Sequence, residues 1–168
     1  MIRAIFFDWG NTVMYDLDEF QHLGAMANWP YVKVVPGIED ALRALKPDYR
    51  LVIATNAVMS TADQVRAALA RGGLDGYFDG IWTALELGVA KPDPAYYTAV
   101  LREAGHTAEE VVMVGDTFST DVLGAKQAGM WTVWYNAAGQ PLPLEGAGAA
   151  DAVIRDHAEL NATIRRLG

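Results

Sequence analysis

The chain has 168 residues, with 13 Lys and Arg against 21 Asp and Glu, so its formal net charge is −8. Hydrophobic residues make up 52% of it, which is enough for a buried core and excludes a disordered chain. The absence of cysteine excludes disulfides, thiolate metal sites and cysteine nucleophiles, and suits the reducing cytoplasm where we expect the protein to work. The negative charge argues against nucleic acid as a partner, and no segment predicts a membrane span or a signal peptide.

Short apolar runs recur along the chain and predict β-strands. They are nearly continuous in apolar residues rather than alternating, which is typical of strands that are buried on both faces of a parallel sheet. In chain order the predicted strands are Ile2–Phe7, Arg50–Ala54, Gly80–Thr83, Val111–Val114, Trp131–Tyr135 and, at one edge, Ala152–Ile154.

Helical patterns with capping residues alternate with these strands. They predict a helix over 38–45, one from a Ser60–Asp63 capping box to Ala70, one capped by Asp93 from Pro94 to Gly105, one capped by Ser119 or Thr120 and ending near Gly129, and a last one capped by Asp156 and Glu159. The βαβα alternation predicts a three-layer α/β/α, Rossmann-like fold with a doubly wound parallel sheet. We expect a single core domain over residues 1–168.

Polar residues follow the predicted strands, at the edge where doubly wound sheets bind their ligands. Carboxylates follow the first and fourth strands, a threonine ends the second, and a lysine follows the third: Asp8, Asp116, Asp121, Thr55 and Lys91. Oxygen ligands suit Mg²⁺ rather than zinc or copper. A carboxylate can attack phosphorus, while a lysine and a hydroxyl hold the transferring oxygens. The set therefore predicts metal-assisted phosphoryl transfer.

Four short motifs carry these residues in a fixed order. They are F-F-D-W-G-N-T-V with Asp8 and Thr12, L-V-I-A-T-N with Thr55 and Asn56, K-P-D-P with Lys91, and V-G-D-T-F-S-T-D with Asp116 and Asp121. In order and spacing they resemble the motifs of the haloacid dehalogenase (HAD) superfamily of hydrolases. The resemblance extends over nearly the whole chain, and it implies that the central strand of the sheet ends at Asp8.

The resemblance also implies a role for each of these residues. Asp8 would be the nucleophile and, with Asp116 and the backbone carbonyl of Gly10, a ligand of the cofactor Mg²⁺. Thr55 and Lys91 would act in catalysis by holding the phosphoryl group. The residues expected to bind the substrate, a phosphorylated small molecule or a phosphoprotein, are Thr12, Thr55, Asn56 and Lys91, and Asp121 is expected to support the acidic group.

The chain departs from the family's phosphatases at Gly10, where those enzymes have a second aspartate that acts as general acid and base. A positioned acid/base contributes about 10²–10⁴ in rate, so leaving-group departure and dephosphorylation should be slow without a substitute. The nearby candidates are Asp16, Asp18, Glu19 and His22, and the sequence does not select one. Apart from such a role, we expect the side chains of Asp16, Asp18 and Glu19 to be solvated. We expect all three histidines, at 22, 106 and 157, to lie at the surface.

A second departure is the segment between the first motif and the helix at 38. Only about twenty residues, 14–35, lie there, which is too short for the helical cap that many relatives insert. We expect a comparatively open site, and a homodimer whose second subunit covers it is consistent with that opening. The side chains that could line its rim are Trp9, Tyr15, Phe20, Met26, Trp29, Tyr31 and Phe118.

The sequence leaves three functions open. The leading one is a Mg²⁺-dependent phosphatase with a phosphoaspartyl intermediate on Asp8. The second is a regulatory domain that binds phosphate but turns over poorly, and Gly10 motivates it. The third is a 2-haloacid dehalogenase, a class that also lacks the second aspartate. It ranks last because residues 14–35 supply no arginine for the substrate carboxylate.

Overall fold

A computed structural model describes residues 1–167 and shows a six-stranded sheet. The strands are β1 (Ala4–Phe7), β2 (Arg50–Thr55), β3 (Gly80–Thr83), β4 (Val111–Gly115), β5 (Trp131–Tyr135) and β6 (Ala152–Ile154). Their order across the sheet is β3-β2-β1-β4-β5-β6, and every neighbouring pair is parallel. The predicted doubly wound α/β fold is therefore confirmed.

Six α-helices and several shorter turns connect the strands. The α-helices are α1 (Ile38–Leu45), α2 (Ala62–Arg71), α3 (Ala84–Leu87), α4 (Pro94–Ala104), α5 (Ala125–Gln127) and α6 (Leu160–Leu167). Short 3₁₀ helices cover Asp18–Leu23, Met26–Asn28, Asp75–Tyr77, Ala108–Glu110 and His157–Glu159, and Phe118–Gly124 is π-helical. Within residues 1–167, no helix is both long enough and apolar enough to cross a membrane.

The central strand β1 shows why the apolar runs are continuous. Its alternating side chains face two different layers, and all of them are buried. Ile5 and Phe7 pack in one cluster with α1, α2 and α6, whereas Ala4 and Phe6 pack in the other with α4 and α5. Burying a large apolar side chain contributes roughly 1.5–3 kcal/mol, so both faces of β1 stabilise the fold. The two helical layers hold the carboxyl ends of β1, β2 and β4 at one edge.

The capping box of α2 differs by one residue from the predicted one. The prediction used Ser60 and Asp63, but the Thr61 hydroxyl accepts the backbone N–H of Gln64 at 3.3 Å, and the Gln64 side chain accepts that of Thr61 at 2.9 Å. Thr61 has the extended backbone of a cap, and the helix begins at Ala62. Ser60 is instead buried in the loop that leads from β2 to this cap.

The helix after β4 also begins earlier than predicted. Neither Ser119 nor Thr120 caps it, because the π-helical turn already starts at Phe118. The carboxylate of Asp121 accepts the backbone N–H of Thr117 at 3.0 Å, so an acid inside the turn binds the residue that precedes the turn. This arrangement turns Asp121 towards the interior, where it is almost completely buried.

Candidate active site

The ammonium group of Lys91 lies at the centre of the site. Its Nζ donates to Asp8 Oδ1 at 3.0 Å, to Asp121 Oδ1 at 2.6 Å and to the backbone carbonyl of Ala54 at 3.0 Å. A lysine ammonium has three protons, so each of them has a partner in this structure. Lys91 is only 4% exposed. Such a buried ammonium fixes the positions of both carboxylates.

Parallel strands bring these groups to one place. Asp8 follows β1, and its backbone N–H donates to the carbonyl of Val114 in β4 at 2.9 Å. Asp116 directly follows β4, and Thr55 is the last residue of β2. Because β1 lies between β2 and β4, the residues at their carboxyl ends face a common opening. The structure thus brings the expected set together, although their chemical roles stay predictions.

Three carboxylates form an acidic cluster beside Lys91. Oxygen atoms of Asp8, Asp116 and Asp121 all lie within 4.8 Å of one another. Burial raises the pKa of each carboxyl group, and repulsion among the three raises it further, whereas Lys91 opposes the rise at Asp8 and Asp121. Burial would lower the pKa of Lys91, but attraction to Asp121 and Asp8 outweighs burial and holds that pKa above its usual value.

The charge and the donor atoms of this cluster fit a hard divalent cation. With every group ionised, the three carboxylates and one ammonium carry a net charge of −2 in a partly buried place. The donors are oxygens only, which suits Mg²⁺ and does not suit zinc or copper. Asp8, Asp116 and the adjacent backbone carbonyl of Gly10 could hold such an ion.

Thr55 and Asn56, which end the second motif, have different environments. The Thr55 hydroxyl oxygen accepts the Ala57 N–H at 3.1 Å, so its own proton is available to a ligand in the cavity that it lines. The side-chain amide of Asn56 also borders the cavity, but it is hydrogen-bonded to the backbone of Lys91. These bonds position Lys91, and the expected contact of Asn56 with substrate stays a prediction.

Thr12 does not line the cavity. It is fully buried, and its hydroxyl donates to Asp116 Oδ1 at 3.2 Å. Its carbonyl accepts a hydrogen bond from Nε2 of His157 at 2.8 Å. The side chain of Thr12 therefore holds a carboxylate of the cluster and does not face the cavity, so this geometry does not support the expected contact of Thr12 with substrate.

His157 corrects another expectation, since it is 1% exposed rather than at the surface. Its ring stacks on Tyr135 with a centroid distance of 4.1 Å. Burial lowers the pKa of His157, and the hydrogen bond to Thr12 only partly opposes this. The neutral ring thus ties the last helical segment to the loop that follows β1. His157 lies three residues after β6, and no local sequence pattern indicates this contact.

The fourth motif contains Gly115, but the sequence assigns this glycine no role of its own. A Cβ at this position would lie 2.3 Å from Cγ of Asp121, which is far inside contact distance. Only a glycine at the end of β4 leaves room for the buried carboxylate that binds Lys91. The signal in the sequence is the Gly-Asp pair itself, with a second aspartate five residues after Asp116.

Above the cluster lies a cavity of about 480 Å³. Of the expected rim side chains, Trp9, Met26 and Trp29 line it, whereas Tyr15 borders a smaller neighbouring cavity of about 200 Å³. Phe20, Tyr31 and Phe118 line neither cavity. The loop after β2 adds Val58, Met59 and Ser60, which the sequence did not indicate.

The short segment 14–35 forms the outer wall of the cavity, and α2 holds it there. The guanidinium group of Arg71 donates to the carbonyls of Ala27, Trp29 and Pro30 at 3.1, 2.7 and 3.2 Å. Each of the two 3₁₀ helices of this segment contributes a side chain, Gln21 or Met26, to the cavity lining. Asp16 is the one residue among the four expected acid/base candidates that lines the cavity.

Sequence comparison identifies relatives that are named as nucleotidases and phosphatases. The chain is 40% identical over 104 residues to pyrimidine 5'-nucleotidase YjjG of Escherichia coli strain K12, which covers 61% of this chain and 45% of that protein. It is 30% identical over 139 residues to the glyceraldehyde 3-phosphate phosphatase of Pyrococcus furiosus, covering 81% of this chain and 56% of that protein. The chain thus spans about half the length of these curated relatives.

Comparison of structures supports the same fold. A crystal structure of a HAD phosphatase from Thermococcus onnurineus superposes with a TM-score of 0.77 at 23% identity, covering 97% of this chain and 98% of that one. The family model of the haloacid dehalogenase-like hydrolases matches residues 10–129, which is more than half of the chain. The chain belongs to the haloacid dehalogenase-like hydrolase family.

Proposed function

We propose that the protein is a Mg²⁺-dependent phosphatase that cleaves phosphate monoesters of small molecules through a phosphoaspartyl intermediate on Asp8. The observation that carries this proposal is the bridge of Lys91 between Asp8 and Asp121, with Asp116 beside it, at the base of a cavity. A carboxylate without a function is not expected to lie beside two other acids and a buried ammonium, because the acids repel one another. Such a cluster costs stability unless it binds something.

The cation would be held by Asp8, Asp116 and the backbone carbonyl of Gly10. When bound, Mg²⁺ supplies positive charge that reduces the repulsion between an anionic nucleophile and an anionic phosphate. The net charge of −2 on the cluster supports this assignment, because one divalent ion balances it.

The residues of the chain would then perform the transfer. The carboxylate of Asp8 attacks phosphorus, and the free hydroxyl proton of Thr55 donates to a phosphoryl oxygen. The Lys91 proton that is hydrogen-bonded to Asp8 would turn to a phosphoryl oxygen as the charge of Asp8 passes to the phosphoryl group. Donors that are fixed before the reaction stabilise the developing charge without reorganising, and burial strengthens them. The two partners that hold Lys91 in addition to Asp8 keep its ammonium in place.

The size of the cavity supports a small-molecule substrate. Its volume of about 480 Å³ lies in the range of small-molecule sites, about 300–1,000 Å³. Trp9, Met26 and Trp29 give it apolar walls that suit an organic leaving group. The two relatives described above are named for phosphate esters of a nucleoside and of a triose, which are leaving groups of this size.

A phosphate-release assay tests the proposal. The substrates are p-nitrophenyl phosphate, pyrimidine nucleoside 5'-monophosphates, phosphoserine and a phosphoserine peptide, each with MgCl₂ and with EDTA. We expect turnover of small monoesters with MgCl₂, its loss with EDTA, and its recovery when Mg²⁺ is added back. Asp8→Asn should abolish turnover, while Asp18→Asn at an exposed position should not change it.

The intermediate is tested separately by acid quenching after mixing with a ³²P-labelled monoester. Label that stays on the protein, is released by hydroxylamine and is absent in Asp8→Asn supports a phosphoaspartyl group. Release of phosphate by Asp8→Asn at the wild-type rate would contradict the proposal, as would the lack of turnover of every monoester by the wild type.

The second candidate is the weakly active regulatory domain, which the missing side chain at Gly10 favours. The same labelling experiment separates it from the phosphatase. One equivalent of label without further turnover indicates the regulatory domain, whereas repeated turnover excludes it. For a 2-haloacid dehalogenase the structure offers little, because no arginine lines the cavity within residues 1–167.

A further inference from the structure

The carboxylate of Asp16 lies beside the space that the missing side chain of Gly10 leaves. A Cβ placed on Gly10 would lie 3.5 Å from Cβ of Asp16 and 3.7 Å from its Oδ2, which are ordinary contact distances. A carboxyl group extends only about 2.4 Å beyond its Cβ, by normal bond lengths. An acid at position 10 would therefore enter the same part of the cavity in which the Asp16 carboxylate already lies.

The backbone fixes Asp16 at this place. After β1 the chain folds back on itself, so that Gly10 and Met14 form a bridge and Met14 forms a second bridge with Val34. The N–H of Asn11 donates to the Met14 carbonyl at 2.7 Å, and the side chain of Asn11 accepts the N–H of Asp16 at 3.0 Å. These contacts hold Asp16 at a set distance from the end of β1.

Asp16 shares the cavity with the reacting groups but stands apart from the acidic cluster. It lines the same cavity as Asp8, Lys91 and Asp116. Among residues 1–167, the group of three carboxylates whose oxygens lie within 4.8 Å of one another consists of Asp8, Asp116 and Asp121, and Asp16 is not part of it. Asp16 therefore lies at the exposed wall of the cavity, outside the group proposed to hold the cation, with the side chain of Gln21 as a hydrogen-bond partner.

The other three candidates from the sequence point elsewhere. None of them lines the cavity. Asp18 accepts the side-chain amide of Gln21 at 3.1 Å, and Glu19 accepts the hydroxyl of Tyr31 at 2.5 Å. His22 is exposed on the outer side of the same 3₁₀ helix. The geometry selects Asp16 from a group that the sequence could not separate.

We propose that Asp16 is the general acid and base of the reaction and replaces the side chain absent at Gly10. This inference rests on the proposed phosphatase function. When Asp8 attacks phosphorus, the bond from phosphorus to the leaving oxygen breaks and the Asp16 carboxyl proton moves to that oxygen. The Asp16 carboxylate then takes a proton from water as the water oxygen attacks phosphorus. The bond from phosphorus to Asp8 breaks, which releases inorganic phosphate, returns Asp8 as a carboxylate and leaves Asp16 as a protonated carboxyl group.

The test compares leaving groups in Asp16→Asn, with Asp63→Asn, at an exposed position of α2, as the matched control. An alkyl ester such as a nucleoside 5'-monophosphate needs a proton on its leaving oxygen, so its kcat/KM should fall by about 10²–10⁴. A 2,4-dinitrophenyl ester leaves without a proton, so its kcat/KM should change by less than about fivefold. Because dephosphorylation also lacks its base, this ester should give a burst of one dinitrophenolate per protein and then slow turnover.

A rescue variant separates chemistry from structure. Gly10→Asp is sterically allowed, since its Cβ contacts are ordinary and Gly10 is not among the residues with positive φ. In the Asp16→Ala background, which vacates the space that the two side chains would share, it should recover at least about tenfold of the lost kcat/KM on the alkyl ester. A role of Asp16 in folding alone would not be rescued by an acid at another position.

Each other outcome overturns the inference. Equal losses on both esters without a burst would make Asp16 a structural or binding residue, and unchanged kinetics would show that the acid comes from another group. If Asp16→Asn melts below the assay temperature, Asp16→Ser and Asp16→Glu are measured under the same scheme. Full activity of Asp8→Asn would refute the phosphatase itself, which is a different failure from that of Asp16.

Discussion

The side-chain amide of Asn56 brackets the backbone of Lys91. Its Oδ1 accepts the Lys91 N–H at 2.7 Å, and its Nδ2 donates to the Lys91 carbonyl at 2.9 Å. The two residues are 35 positions apart, so this pair ties the end of β2 to the loop before α4. The ammonium that reaches Asp8 is thus anchored at its own backbone.

We predict that Asn56→Asp lowers kcat/KM by about 10²-fold, since a displacement of about 1 Å at a reacting group costs that much. The new carboxylate has the shape of the amide and can still accept the Lys91 N–H, but it repels the Lys91 carbonyl. Steady-state kinetics on a small monoester measure the effect. Asn161→Asp, in α6, is the control and should behave as wild type. An Asn56→Asp protein with unchanged kinetics would show that Lys91 does not depend on this bracket.

The charges of the cluster predict that Lys91→Met and Asp121→Asn destabilise the protein by different amounts. Lys91→Met leaves Asp8, Asp116 and Asp121 without an ammonium, so their repulsion increases. Removing one partner of a buried ion pair costs about 3–5 kcal/mol. Asp121→Asn removes one of three negative charges and leaves Lys91 with Asp8 and the Ala54 carbonyl. Its cost should be smaller by at least about 1 kcal/mol.

Urea unfolding at neutral pH without Mg²⁺ measures both free energies. Adding Mg²⁺ should stabilise the wild type by more than it stabilises Asp116→Asn, because that variant lacks one of the proposed ligands. If Asp121→Asn has a lower free energy of unfolding than Lys91→Met, repulsion among the acids does not dominate the stability of the cluster.

The glycine at the end of β4 gives a sharper steric prediction. In Gly115→Ala the new methyl group would lie 2.3 Å from Cγ of Asp121, so the carboxylate must move away from Lys91. Overpacking of this kind costs about 1–3 kcal/mol, and turnover should fall with the loss of the ion pair. Gly76→Ala is the control, since a Cβ there meets nothing within 4 Å. Melting temperature and kcat are measured for both; equal values would mean that Asp121 has room to move without consequence.

The sheet and the place of the site could be predicted from local patterns. Continuous apolar runs indicate buried parallel strands, and the alternation with helices then fixes which ends meet. Asp8, Asp116 and Thr55 could be placed together because each directly follows or ends a strand. Asp93 likewise caps α4 as its position before Pro94 predicts, and its carboxylate accepts the Ala95 N–H at 2.9 Å.

Contacts between distant side chains could not be predicted in this way. No local sequence pattern shows that Asp121 pairs with Lys91 rather than with solvent. No local pattern shows either that Arg71 of α2 donates to the carbonyls of residues 27, 29 and 30. The choice of Asp16 depends on how the chain folds back after Gly10, which requires the bridges of Met14. These features follow from tertiary packing, whereas the motif residues follow from secondary structure.

Burial of His157 predicts a pH dependence of stability. Burial lowers its pKa in the folded protein, while an unfolded histidine titrates near about 6.5. Above the unfolded pKa the ring is neutral in both states and the fold is fully stable. As the pH falls below about 6.5 towards the lowered folded pKa, the unfolded chain binds a proton that the folded protein excludes. Stability is therefore lost across that window.

His157→Gln removes this titration, and the Gln side-chain amide can still donate to the Thr12 carbonyl. The difference in unfolding free energy between pH 8 and pH 5 should therefore be larger in the wild type than in His157→Gln. His22→Gln, at an exposed position, should keep the wild-type dependence. Parallel curves for the wild type and His157→Gln would show that the ring takes up a proton as readily in the folded protein as in the unfolded chain, for example because the folded protein opens around it. Because His157 holds the loop carrying Thr12, and Thr12 holds Asp116, any such opening should also weaken Mg²⁺-dependent turnover.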